Sequence, residues 1–141
     1  MTRRLDSSRI KLKRVYEPTA PSDGVCVLVD RLWPRGLSKA DAATVHWYKK
    51  DVAPSATLRQ WFGHKPERWD EFRKRYKSEL ARQPEALGEI RDLARKSPVT
   101  LLFAAHDELH NNAVVLREVL LAERLKRRTA IRSAGKSGRK T

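Results

Sequence analysis

The sequence predicts a single α/β domain built on a small, mainly parallel sheet of about three to four strands covered by helices. Two segments, VCVLVD (25–30) and VTLLFAA (99–105), are continuously apolar and rich in branched side chains, as strands buried on both faces are. Several amphipathic helical patterns lie between and after them. At 141 residues the chain is long enough to bury one core, but not two.

The remaining strands are predicted from shorter patterns. IKLKRVY (10–16) alternates apolar and basic residues, which indicates a strand with one solvent-exposed face near a sheet edge. Two prolines and an Asp-Gly pair then break the chain ahead of VCVLVD. A further short strand is predicted near TVHWYK (44–49).

Helical patterns fill most of the remaining chain. Residues 53–62 predict a short helix with Ser55 as its N-cap. Residues 66–80 and 84–97 each open on a proline and place apolar side chains along one stripe. The last helix is predicted to run through NNAVVLREVLLAERLKRR (111–128), which has a broad apolar face.

The positive charge is concentrated at the two ends of the chain. The net charge is +14, but residues 15–123 carry seventeen Lys and Arg against sixteen Asp and Glu. Residues 1–14 and 124–141 carry the excess, with six basic residues against one acid and eight against none. We expect a flexible basic N-terminus at 1–9, the α/β domain at 10–123 and a disordered basic tail at 124–141. The tail either solubilises the protein or adds salt-sensitive affinity for nucleic acid.

Nothing in the sequence predicts export or membrane insertion. No apolar stretch approaches the ~20 residues of a membrane span, and the basic N-terminus lacks the core of a signal peptide. Cys26 is the single cysteine, which excludes an internal disulfide, and we interpret it as a small buried side chain. We therefore expect a cytoplasmic protein that does not contact membranes.

Two polar segments begin where buried strands end, namely DRLWPRGLSK (30–39) and HDELHNN (106–112). Because ligands of open α/β sheets gather beyond the carboxyl ends of strands, we expect a site there. Arg31 and Arg35 are suited to phosphate or carboxylate, and Trp33 offers a stacking face. The alternative is that these groups clasp the loop and that Trp33 covers the end of the core.

The word HDELH resembles the zinc-protease motif HExxH, but we do not predict a metal site. His106 follows a strand directly, and Asp107 is one methylene shorter than the glutamate that the motif requires. Instead, Asp107 is predicted to N-cap the last helix, with His110 at its third position. Asn111 and Asn112 are poor helix-interior residues, so we expect their amides to bond the facing loop or a ligand.

WFGHKP (61–66) predicts a compact corner between two helices. Gly63 permits the left-handed backbone that ends a helix, and Pro66 suits the start of the next one. His64 either points to solvent or faces the strand ends, where it would serve as an acid or base near neutral pH.

Longer words of the sequence resemble one known family. KRVYEP, DGVCVLVDRLWPRGLSK, LRQWFGHKPERWDEFRKRY and VTLLFAAHDELHNNAVVL together are similar to the YeaO-like branch of the domain of unknown function 488 family, over about residues 11–121. The resemblance implies a small bacterial or archaeal α/β domain with no established activity. The positions that match its motifs are Asp30, Arg31, Trp33, Pro34, Arg35, Gly36, Trp61, Phe62, Gly63, His64, Asp107, His110, Asn111 and Asn112. His106 departs from the family pattern, and the basic tail lies outside it.

We expect a domain that binds, or processes, an anionic phosphate-bearing ligand such as a nucleotide or nucleic acid at the carboxyl ends of the strands. The expected ligand-binding residues are Arg31, Trp33, Arg35, Asp107, His110, Asn111 and Asn112. Asp30, His64 and His110 are the candidates for proton transfer, and no nucleophile, metal or cofactor is predicted. The alternative is a non-catalytic interaction protein, in which the Arg, Asp and Asn groups form a structural network and the basic tails contact nucleic acid or acidic partners.

Overall fold

The computed structural model describes residues 5–38 and 45–122. The strands in these residues are β1 (Ile10–Arg14), β2 (Val25–Leu28), β3 (Trp47–Tyr48) and β4 (Val99–Phe103). They form one parallel sheet in the order β1-β4-β2-β3. The predicted α/β class and parallel sheet are therefore confirmed, and β1 lies at an edge, as its alternating pattern indicated.

The α-helices of the described residues are α1 (Ala56–Phe62), α2 (Trp69–Leu80), α3 (Pro84–Lys96) and α4 (Asn112–Leu121). Short 3-10 turns lie at Ser7–Arg9, Pro21–Asp23, Lys50–Val52 and Pro66–Arg68. Ser55 caps α1 as predicted, because its hydroxyl accepts a hydrogen bond from the Leu58 amide at 3.1 Å. The helix expected from Pro66 opens as a 3-10 turn and becomes α-helical only at Trp69.

One large apolar core joins the sheet to all four helices. Val27 and Leu101 of the central strands are fully buried in the same cluster as Tyr76 of α2 and Ile90 of α3. Each fully buried side chain of this size contributes roughly 1.5–3 kcal/mol to stability. The Tyr76 hydroxyl donates a hydrogen bond to the Val52 carbonyl, so this large side chain brings no unsatisfied polar atom into the core.

A second, smaller set of apolar side chains packs on the opposite face of the sheet. A smaller cluster lies there, formed by Val15, Cys26, Leu28 and Leu102 with Leu37, Val45, Tyr48 and Ala104 packed against it. It contains no residue of α1 to α4. The central strands are buried on both faces, as predicted, but within the described residues the helices cover only one. The described residues that pack against the other face are Leu37, Val45 and Ala104 from loops and Tyr48 from β3.

The chain ends are only partly described. Leu5 packs in the large core, and the Arg9 guanidinium donates a hydrogen bond to the Ala94 carbonyl at 2.9 Å, so residues 5–9 contact the domain. Residues 1–4 and the basic tail expected at 124–141 lie outside the described residues, so the domain boundaries stay predictions. No helix in the described part of the chain combines the length and apolar character that a membrane crossing requires.

The strand order creates a crevice beyond the carboxyl ends of the two central strands. In the sheet, β2 has β3 on one side and β4 on the other. The chain that leaves β2 therefore goes first to one side, as β3, and later to the opposite side, as β4. Such a reversal leaves a space beyond the carboxyl ends of the adjacent strands. Here those ends are Leu28 and Phe103, after which the two polar segments begin.

Gly24 should not tolerate a side chain. Its φ is +67°, and a Cβ atom there would lie 2.1 Å from the Pro98 carbonyl oxygen. Gly24→Ala is therefore expected to lower the free energy of unfolding by roughly 2 kcal/mol or more in urea denaturation. Gly88→Ala is the matched control. Gly88 lies inside α3 with open space around it, so that change should raise stability by about 0.5–1 kcal/mol. Wild-type stability in Gly24→Ala would contradict the close approach.

Candidate functional site

The two polar segments line one cleft at the carboxyl ends of β2 and β4. Its volume is about 660 Å³. The residues that line it are Tyr16, Asp30, Arg31, Leu32, Trp33, Pro34, Arg35, Pro54, Arg59, Phe62, His64, Phe72, Ala104, Ala105, His106, Asp107, Asn111 and Asn112. The sequence predicted that residues 30–36 and 106–112 would converge on one site. The structure places them in one cleft, with α1 and α2 supplying a third wall.

Asp30 forms the polar floor of this cleft. Its Oδ2 accepts a hydrogen bond from the Ala104 amide at 2.9 Å, and its Oδ1 accepts one from Asn112 Nδ2 at 3.2 Å. Asn112 Nδ2 also donates to the Val29 carbonyl at 2.9 Å. Burial raises the pKa of the Asp30 carboxyl, although both hydrogen bonds and the charges of His64 and Arg59 act to lower it. The carboxyl therefore joins the ends of two strands and the start of α4.

Arg31 is held by a structural contact. Its Nε donates a hydrogen bond to the Pro54 carbonyl at 2.8 Å, and its own carbonyl accepts one from the Tyr48 hydroxyl at 2.9 Å. These contacts tie the loop after β2 to β3 and to the segment before α1. The clasp that the sequence left open as an alternative is therefore present at Arg31, although Arg31 also lines the cleft.

Trp33 and Arg35 are more exposed than Arg31. Trp33 is 42% exposed, and its ring meets the Tyr48 ring edge-on, with 5.5 Å between the ring centroids. The Arg35 carbonyl accepts a hydrogen bond from the Tyr16 hydroxyl at 2.7 Å. Gly36 adopts a φ of +76°, a left-handed conformation that glycine accepts at low cost. The backbone of this loop is fixed, while the Trp33 and Arg35 side chains reach the solvent side of the cleft.

The cap of α4 differs from the prediction. Asp107 does not cap this helix, because its Oδ1 accepts hydrogen bonds from the Leu109 and His110 amides, both at 3.0 Å. These bonds close a separate turn. The N-cap is Asn111, which accepts from the Val114 amide at 3.1 Å, while its Nδ2 donates to the Asp107 carbonyl. Asp107 and Asn111 were both competent caps, and the turn takes up the first of them.

His110 lies before α4 and outside the cleft lining, so its predicted third helical position is wrong. Its ring meets the Trp69 ring edge-on at 5.1 Å, and its Nδ1 lies 3.0 Å from Asp107 Oδ2. Hydrogen bonds from the Leu109 amide and from His110 lower the pKa of Asp107. His106 and His110 do not share a helical face, and the described residues contain no group of three His, Cys, Asp or Glu side chains placed to hold a metal.

The sequence did not identify Arg59 and Tyr16 as cleft residues. Arg59 projects from α1 and Tyr16 follows β1, and both line the cleft. Arg59 lies three residues before the buried Phe62, so the two side chains share one helical face, and this spacing was the available signal. His64, which the sequence had left between solvent and site, also lines the cleft. It follows Gly63 and has a left-handed φ of 57°, which is uncommon for a residue with a Cβ atom.

A comparison of Arg31→Ala with Arg35→Ala tests whether Arg31 stabilises the fold while Arg35, whose guanidinium has no partner in the described residues, does not. We expect Arg31→Ala to lower the free energy of unfolding by roughly 1–2 kcal/mol, because the Pro54 carbonyl loses its charged donor. Arg35→Ala should change it by less than about 0.5 kcal/mol. Urea denaturation of the two variants makes the comparison, and equal losses would contradict the assignment.

The pKa of Asp30 provides a test of the floor geometry. We expect the carboxyl carbon to titrate above the ordinary value of 3.8 in an NMR titration. Asn112→Ala should raise this pKa further, because it removes a hydrogen bond that favours the ionised form. Gln60→Ala, which removes an exposed amide of α1, is the control and should leave the pKa unchanged. A lower pKa in Asn112→Ala would rule out the contact.

The sign of the stability effect follows from this shift. The pKa of Asp30 is higher in the folded than in the unfolded chain, so the folded state binds the proton more tightly. The contribution of Asp30 to stability is therefore fully present below the unfolded pKa and is lost as the pH rises through the folded pKa.

Comparisons with known proteins place the chain among uncharacterized relatives. A family model described as the inactive DUF488-N3 subclade matches residues 9–138. An uncharacterized protein of Mycobacterium tuberculosis is 46% identical over 113 residues, which cover 80% of this chain and 94% of that relative. The uncharacterized protein YeaO of Escherichia coli is 42% identical over 111 residues, which cover 79% of this chain and 96% of YeaO. No solved structure shows significant similarity. The chain therefore belongs to the domain of unknown function 488 family, as a YeaO-like member.

Proposed function

We propose that the cleft binds a phosphate-bearing organic anion, such as a nucleotide, without covalent chemistry. The observation that carries this proposal is the set of three guanidinium groups in its lining, those of Arg31, Arg35 and Arg59. Within the described residues, the guanidinium groups of Arg35 and Arg59 have no hydrogen-bond or ion-pair partner. An uncommitted guanidinium is suited to paired hydrogen bonds with phosphate oxygens.

The shape and the apolar part of the cleft support an organic ligand over a bare ion. A volume of about 660 Å³ lies within the range of roughly 300–1,000 Å³ that small-molecule sites occupy. Tyr16 and Trp33, which are 43% and 42% exposed as whole residues, line the cleft together with the buried Phe62. Exposed aromatic rings beside arginines suit the planar base of a nucleotide.

The lining supports binding rather than group transfer. It includes no serine, threonine, cysteine or lysine among the described residues, so it offers no aliphatic hydroxyl, thiol or amine as a nucleophile. Of the three candidates for proton transfer, His110 lies outside the lining, whereas Asp30 and His64 line the cleft. The word "inactive" in the description of the matching family model agrees with a binding role.

A non-catalytic interaction protein is the second candidate. It is favoured by the contacts from Arg31 to Pro54 and from Asp30 to Ala104, which serve structure without any ligand. In this case the arginines of the cleft would be incidental, and the basic segment 124–141, which lies outside the described residues, would provide the contact with nucleic acid or an acidic partner.

Calorimetric titration with adenosine 5′-monophosphate tests the proposal. We expect saturable binding, and a loss of roughly tenfold or more in affinity in both Arg35→Ala and Arg59→Ala, because each removes a charged hydrogen-bond donor. Lys74→Ala is the matched control. It removes one positive charge from an exposed position of α2 outside the cleft, so it should leave the affinity unchanged.

Two results would reject the anion site. The first is that none of the four ribonucleoside monophosphates binds. The second is an equal loss in all three variants, which would indicate attraction by net charge alone. Nucleic-acid binding that disappears when residues 124–141 are removed, without any cleft ligand, would favour the interaction protein.

A further inference from the structure

The cleft separates hydrogen-bond acceptors from hydrogen-bond donors. Each carboxylate oxygen of Asp30 has two lone pairs and accepts one protein hydrogen bond, so one acceptor position remains on each. Asn112 uses Nδ2 for two donated bonds, and its Oδ1 accepts none from any residue in the described ranges. The floor of the cleft therefore offers unfilled acceptors, and it is complementary to hydroxyl or amino groups of a ligand.

The same floor disfavours a phosphate group. A phosphate next to the ionised Asp30 would place two negative charges together in a partly buried position, where their repulsion is stronger than in water. The uncommitted cations, Arg35 and Arg59, are exposed residues that lie toward the solvent side. A ligand that bonds both the acceptors of the floor and the two arginines must place its phosphate near the arginines and its neutral hydrogen-bond donors at the floor.

We infer that the cleft recognises a ribosyl phosphate, whose phosphate binds Arg35 and Arg59 while the vicinal hydroxyls of the ribose donate to Asp30 and Asn112. This inference rests on the proposed function and specifies its ligand. Two adjacent hydroxyls match the two open positions of one carboxylate, and acidic side chains bind ribose hydroxyls in this way in dinucleotide sites. Both a free ribose phosphate and a ribonucleotide carry these hydroxyls and a phosphate. Only the ribonucleotide also has a base, which Trp33 and Tyr16 would contact.

Four ligands compared by calorimetry test the inference. They are adenosine 5′-monophosphate, 2′-deoxyadenosine 5′-monophosphate, ribose 5-phosphate and inorganic phosphate. We expect the ribonucleotide to bind about tenfold more tightly than its deoxy form, because the deoxy form lacks one donor to a charged acceptor. Equal affinity for the ribonucleotide and ribose 5-phosphate would identify a sugar phosphate as the ligand class. Tighter binding of the ribonucleotide would identify a nucleotide.

Asp30→Asn provides the decisive variant. It keeps the size of the side chain but removes the negative charge and replaces an acceptor by a donor. We expect the preference for ribose over deoxyribose to disappear, whereas the affinity for inorganic phosphate stays the same or increases because the repulsion is gone. An increase for all four ligands, with the ribose preference intact, would overturn the inference and leave Asp30 as a repulsive charge only.

The pH dependence of the wild-type protein gives a second readout that does not require the variant to fold. Protonation of Asp30 weakens it as an acceptor, so the ratio of ribonucleotide to deoxyribonucleotide affinity should fall as the pH is lowered through its pKa. The charged or titratable groups that line the cleft with Asp30 are Tyr16, Arg31, Arg35, Arg59, His64, His106 and Asp107. The two ligands carry the same phosphate, so effects of these groups on the phosphate cancel in the ratio.

The two proposals fail in different ways. Equal affinity of the ribonucleotide and its deoxy form at neutral pH would overturn the ribose inference and leave the anion site in place. The absence of binding by all four ligands, and by the other three ribonucleoside monophosphates, would overturn the anion site itself, and the ribose inference with it.

Discussion

The carboxylate of Asp30 is the interaction on which the geometry of the cleft depends. It follows β2 and accepts hydrogen bonds from Ala104, which follows β4, and from Asn112, which begins α4. Asp30 therefore joins the end of β2 to two consecutive elements whose contacting residues lie 74 and 82 positions further along the chain. A partly buried carboxylate is costly unless donors surround it, and two protein donors do not fully satisfy it. Its raised pKa reflects this balance, and its open acceptor positions face the cleft.

The two arginines of the loop DRLWPRG, which are four residues apart, differ in their contacts. Arg31 donates to the Pro54 carbonyl and so fixes the loop against the segment before α1. The Arg35 backbone is fixed in turn by the Tyr16 hydroxyl, which leaves its guanidinium directed to the solvent side. The structural interpretation therefore applies to Arg31, whereas our binding proposal concerns Arg35 of the same loop. A rigid loop supports binding, because the ligand does not have to order it.

Local patterns in the sequence predicted local features well. The continuous apolar runs became the two central strands, Ser55 caps α1, and Gly63 adopts the left-handed backbone that was expected of it. The N-cap of α4 was predicted to be Asp107, but it is Asn111. Both residue types make good caps, and the choice depends on where the turn after β4 ends. That turn is set by the packing of neighbouring elements, which a capping pattern does not contain.

The sequence by itself determined the class of the domain, its buried strands, its helices and the two polar segments that follow the strands. Each of these follows from the order of apolar and polar side chains along the chain, because burial imposes a period on every element. Only the tertiary structure decided that Arg59 and Tyr16 join Asp30 in one cleft while His110 turns towards Trp69. These neighbours follow from the insertion of β4 between β1 and β2, a long-range pairing that no local pattern specifies.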